Sequence, residues 1–94
     1  MENQLKYVIM ATEDGREFPV IFADVLTHKG MADHVAHLYH RERYDKGEYG
    51  EEVEPVSAGF FQVNAGGGVC YGHSESLKLK SRGPVDTEVV KQWT

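Results

Sequence analysis

The chain has 94 residues, 40% of them hydrophobic, and a formal net charge of -5. That is one domain with one core, burying roughly 60 to 68% of the surface its unfolded form exposes. The composition is not that of a disordered chain, and no apolar run approaches the roughly 20 residues that span a bilayer. Acids outnumber bases 15 to 10, and the bases are dispersed among them, which disfavours general duplex nucleic-acid binding because that mode needs a basic face. The single cysteine, Cys70, cannot form an internal bridge, and no basic region precedes an apolar stretch at the N-terminus, so a cytoplasmic location is expected.

Residues 5–12 form the first predicted strand. The apolar run Tyr7-Val8-Ile9-Met10 suits a strand buried on both faces or placed at a subunit contact. Asp14-Gly15 is a two-residue hairpin signal, and residues 16–22 return as a strand whose Pro19, lacking an N–H, places it at a sheet edge. A helix is predicted over 29–45, capped by Thr27 or His28, with Met31, Val35 and Leu38 on one face and Tyr39 flanking it. Asp33, His37, His40 and Tyr44 fall on the opposite face, with His34 and Arg41 at one boundary. Gly47 is a helix stop, and residues 46–54 read as a solvated, mobile acidic loop. Strands over 55–63 and 69–74 follow, joined by a glycine-rich hairpin loop, and 76–80 alternates as a short strand. Pro84 opens a final helix at its first position, with Asp86 and Glu88 in the first turn and Val85, Val89 and Trp93 presented to the core. The expectation is an α+β single domain over residues 1–94: an antiparallel sheet of two hairpins with one main helix and a short C-terminal helix, helix covering one face.

Two constellations bear on function. Ser74, Ser76, Ser81 and Arg82 place hydroxyls beside a guanidinium, with Lys78 and Lys80 on one strand face. Hydroxyls and cations together bind phosphates and carboxylates, since Arg forks bidentately. Tyr71 or Phe61 adds a ring for stacking. Adjacent Phe60 and Phe61 point to opposite faces of a strand. The bland reading of the same residues is a polar edge strand guarded by lysines. The second constellation is the helix face of His37, His40, Arg41 and Tyr44. Asp33, His37 and Arg41 at i, i+4 spacing make an intrahelical charge ladder or an anion-receiving surface. His34, His37 and His40 recur at i, i+3, i+6, but the H-E-x-x-H zinc pattern is absent, so no metal and no cofactor are expected. The run 65–68 matches neither a P-loop nor a dinucleotide loop. Cys70 reads as a buried thiol, and strand parity turns His73 away from it, which leaves no Cys-His dyad. No catalytic apparatus is expected.

Ser57-Ala58-Gly59-Phe60, then residues 71–82 from Tyr71 to Arg82, then Asp86, resemble small proteins carried by bacteriophages and prophages, most of unassigned function. Residues 13–20, from Glu13 through Arg16 and Pro19 to Val20, fit the same pattern, so the resemblance spans about two thirds of the chain. In that pattern Pro follows Arg directly, whereas here Gly83 intervenes. The resemblance implies an interaction protein in the host cytoplasm. One expectation is a non-enzymatic binding protein, of counter-defence type, that sequesters a small anionic, nucleotide-like ligand as a homo-oligomer. The other is an inhibitor or accessory protein that binds a host protein through the acidic loop and the polar helix face.

Overall fold

The computed structural model describes residues 4–45 and 52–93, with the backbone alone for 41–45. Eight elements follow in chain order: β1 (Gln4–Thr12), β2 (Glu17–Phe22), α1 (His28–Asp45), β3 (Val53–Gln62), β4 (Val69–Tyr71), β5 (His73–Ser74), β6 (Leu79–Lys80) and α2 (Pro84–Gln92). Strands β1 to β4 make one antiparallel sheet in the order β2-β1-β3-β4, and β5 and β6 pair separately. The fold is α+β.

Strand parity explains the layers. Val8 and Met10 of β1 turn to one face, where they meet Ala58, Val53 and Phe22 and the α1 residues Ala32, Met31, Val35, Ala36 and Tyr39. Leu5, Tyr7 and Ile9 turn to the other face and meet Phe61, Cys70 and the α2 residues Val89 and Val90. The uninterrupted apolar run of β1 is therefore buried on both faces because a helix covers each one. This corrects the expectation that helix would cover one face only. A register shift opposite Ile9 lets β3 carry one extra residue. The bulge brings Val56 into the α2-side cluster alongside the inward-facing Ser57, while Val53 still reaches the α1 side.

Several local expectations hold and several shift. β2 lies at the sheet edge, as Pro19 requires. The first hairpin closes through three residues rather than two, with Gly15 at φ 87 and the Thr12 amide bonded to the Arg16 carbonyl at 2.9 Å. Thr27 is the α1 cap: its Oγ1 accepts from the Gly30 amide at 3.0 Å. The helix is rotated relative to the predicted face. Ala32, Val35 and Ala36 pack inward, and Leu38 is 47% exposed. The predicted strand over 69–74 is broken at Gly72, whose φ of 81 turns the chain so that β5 pairs with β6 instead of β3. Lys78 sits in the β5–β6 turn at φ 56, so Lys78 and Lys80 do not share a strand face. Val53 and Glu54 belong to β3 rather than to the acidic loop. The rest of that loop, over 46–51, and the stop at Gly47 lie outside the described residues. Pro84 does open α2, and Val89 packs inward as expected beside the buried Val90, but Val85 and Trp93 are exposed.

Candidate functional site

The residues that carry the anion expectation divide between two places on opposite sides of the sheet. Arg82 lies on the α2 side. Its Nε donates to Asp86 at 2.7 Å, and its two terminal nitrogens donate to the Glu17 carboxylate at 3.1 and 2.7 Å. Asp86 is fully buried and accepts three further bonds, from Tyr7 Oη at 2.5 Å, Ser57 Oγ at 2.8 Å and the Arg82 amide at 2.9 Å. Burial alone would raise the Asp86 carboxyl. The bonds from Tyr7, Arg82 and Ser57 outweigh it and hold the group below the usual carboxylate range. Burial and the Asp86 bond push the Tyr7 hydroxyl up, so it stays a donor. The Glu17 bonds push Arg82 further up. Ser81 Oγ is 2.6 Å from Tyr7 Oη and, since the one Tyr7 proton goes to Asp86, donates to it, while accepting from the Gly83 amide at 3.0 Å. Ser81 and Arg82 are thus bound into a core network that ties α2 to the sheet. Phe61 is also on this side, packed into the core against Gly68.

Ser74, Ser76 and Tyr71 lie elsewhere. Ser74 is buried and accepts from the Leu77 amide at 3.2 Å, and its Oγ is 3.4 Å from that of Ser76. Ser76 lines a cleft of about 330 Å³ together with Lys6, Thr27, His28, Phe60, His73 and Glu75. Tyr71 does not line the cleft, and its ring contacts that of Phe60, with the centroids 5.8 Å apart. β1 and β3 supply Lys6 and Phe60 as cross-strand partners, α1 supplies its N-terminus, and the β5–β6 turn supplies the serine rim. Gly72 is needed here, because a Cβ would come within 2.9 Å of the Phe60 ring at a left-handed φ.

Lys6 brings a positive charge to the cleft. The Lys6 ammonium donates to the Leu26 carbonyl at 2.8 Å and keeps two donors beyond that bond. The Thr27 carbonyl accepts the first regular helical bond, from Met31, and of the orphan amides before it Ser76 Oγ takes Lys29 at 3.1 Å and Thr27 Oγ1 takes Gly30 at 3.0 Å. The His28 amide has no acceptor among the described residues, at the positive end of an 18-residue helix. Glu75 lies on the rim, 3.8 Å from His73 Nε2.

The sequence reading missed Lys6 and His28. Lys6 is the one charged side chain in a largely apolar strand, which is a visible signal. His28 is not distinguishable in sequence from the other four histidines. In the structure it is buried, edge-on to Phe22 and Phe60, with Nε2 2.7 Å from the Gly59 carbonyl. Burial lowers its pKa.

The polar helix face is separate again. His37 and His40 line a shallow groove with Ala36, Glu52 and Val53. The side chains of Arg41 and Tyr44 lie outside the described residues. Among those residues no three His, Cys, Asp or Glu side chains converge as a metal site requires, and no helix is long and apolar enough to cross a membrane. Cys70 is buried, its thiol pushed up to about 11 by desolvation, which leaves it protonated at neutral pH. No protein-family model, curated protein or solved structure matches the chain.

Proposed function

We propose that this is a non-catalytic binding protein that holds a small anionic ligand with an aromatic portion in the Lys6–Phe60 cleft. One observation carries the reading: a lysine, the first residues of a long helix and Ser76 line a single concavity together with the Phe60 ring. A volume of about 330 Å³ is at the small end of the roughly 300–1,000 Å³ typical of ligand sites, which suits a mononucleotide-sized molecule. Ser76 is assigned to the ligand as the sequence suggests, with Ser74 beside it, and the stacking role passes from Tyr71 to Phe60, which lines the cleft. Arg82, Ser81 and Phe61 are committed to the core and are not assigned to the ligand. Val25 and Leu26, 85% and 46% exposed beside the Lys6 bond, favour a homo-oligomer with a subunit contact near the cleft mouth. The resemblance to phage-borne proteins supports a sequestering role, of counter-defence type, in the host cytoplasm.

The test is a thermal-shift and calorimetric screen of nucleoside monophosphates, with native mass spectrometry on the same samples. A ligand at 100 times its Kd stabilises by about 2.7 kcal/mol, which raises the Tm of a domain this size by about 10 °C or more. Lys6→Gln is expected to weaken binding about tenfold or more, the loss of a charged hydrogen bond. Undiminished binding by a folded Lys6→Gln variant, or no shift across the panel, sinks the reading.

A second reading has its own support. Glu13, Glu52 and Glu54 line a groove of about 220 Å³ that shares Glu52 and Val53 with the His37–His40 groove. A continuous acidic surface of this kind favours a basic host protein as partner. Charge reversal at Glu52 and Glu54 that leaves partner capture unchanged removes it.

A further inference from the structure

We infer that His28 is the specificity-determining residue of the cleft, selecting ligands whose aromatic ring carries an N–H donor, such as an amino-substituted heterocyclic phosphate. The inference rests on the binding reading above and sharpens it.

The argument starts from the tautomer. The Gly59 carbonyl can only accept, so His28 Nε2, 2.7 Å away, carries the proton. The ring is buried between Phe22 and Phe60, an environment that disfavours the imidazolium. A neutral imidazole protonated at Nε2 presents Nδ1 as an acceptor only. No donor to Nδ1 exists among the described residues, and no buried side-chain nitrogen or oxygen there is left unbonded, so Nδ1 is reached by solvent where His28 lines the cleft. The position is fixed three ways: by the Gly59 bond, by two edge-on aromatic contacts, and by its place at the first turn of α1 directly after the Thr27 cap.

Lys6, which also lines the cleft, keeps ammonium donors beyond its Leu26 bond and suits an anionic oxygen. Of the obligate acceptors that line the cleft, the Glu75 carboxylate is 91% exposed, whereas Nδ1 belongs to a buried ring held against Phe60, the two ring centroids 6.0 Å apart. A ring stacked on Phe60 and offering an exocyclic amine satisfies it. A ring with no donor leaves it desolvated and unpaired, the circumstance in which binding sites discriminate most strongly.

The experiment compares two probes by calorimetry: adenosine 5′-monophosphate, and purine riboside 5′-monophosphate, which lacks the amino group. The wild type is expected to prefer the amino-bearing probe by about tenfold or more. His28→Phe is expected to bind both equally, and His28→Gln, which retains an N–H for Gly59 and an acceptor oxygen, to keep a preference. If His28→Phe fails to fold, the wild-type ratio and His28→Gln decide. Equal binding of the two probes by the wild type overturns the inference and leaves the anion-binding reading standing. A preference that survives in a folded His28→Phe overturns it as well. Failure of both probes to bind the wild type overturns the inference together with the reading beneath it.

Discussion

Asp86 concentrates more of the fold than any other side chain. It is fully buried, and it collects donors from β1, β3 and the segment leading into α2. Its charge is stable there because each lone-pair direction meets a donor and Arg82 supplies a cation that Glu17 in turn orients. Asp86→Ala leaves Arg82, Tyr7 and Ser57 without their acceptor and is expected to cost about 3 kcal/mol, read by urea unfolding at pH 7. The pH dependence has a definite sign. The folded carboxyl titrates below its unfolded value of about 3.9. Its contribution is therefore complete above that value and is lost as pH falls towards the depressed folded value. The stability gap between wild type and Asp86→Asn should narrow as pH drops below about 4. A gap constant from pH 7 to pH 3 contradicts the assignment.

α2 closes both edges of the four-stranded sheet. At one edge the outward amide of Cys70 in β4 donates to Thr87 Oγ1 at 3.0 Å, and Thr87 in turn donates to the Gly83 carbonyl. At the other edge Trp93 Nε1 donates to the Glu17 carbonyl of β2 at 3.3 Å, and Pro19 offers no amide. Thr87 and Trp93, the helix C-cap, are six residues apart, about 9 Å of rise at about 1.5 Å each, and their side chains reach the two edge strands from there. One backbone group at each edge is thereby occupied, which hinders strand-to-strand association. Thr87→Val removes the β4 contact at nearly constant volume. Amide exchange at Cys70 is expected to accelerate about tenfold, the equivalent of about 1.4 kcal/mol. Unchanged Cys70 exchange in that variant means that the Thr87 bond adds nothing.

At the scale of the whole molecule, the two helices sit on opposite faces of one sheet and share β1 as the common wall. Neither face is exposed without disrupting the other, because adjacent β1 residues serve opposite clusters. Unfolding is expected to be cooperative, and Cys70 reports it from within the α2-side cluster. Its thiol is protonated and buried in native protein. Labelling by a thiol reagent at pH 7.5 should follow the unfolded fraction through a denaturant titration. Rapid labelling in native buffer shows that α2 opens independently of the rest.

The sequence determined what depends on near neighbours along the chain. Period-two runs and β-branched residues marked β1 to β4, Pro19 assigned β2 to an edge, Thr27 capped α1, and Pro84 began α2, because each of these acts through the local backbone. The apolar run of Tyr7 to Met10 even announced burial on both faces, although not what would cover the second one. Ser76 and Tyr71 were legible as a hydroxyl and an aromatic group, but the break of their strand at Gly72 was not. Tertiary structure alone decided the rest. Ser81 and Arg82 look like ligand groups until Glu17, 65 residues from Arg82 in sequence, occupies the guanidinium. Lys6 and His28 look unremarkable until antiparallel pairing sets Lys6 beside Phe60 and the α1 N-terminus arrives above them. Hydrogen bonds between distant side chains leave no period in a sequence, since their partners are chosen by how the layers stack and not by spacing along the chain.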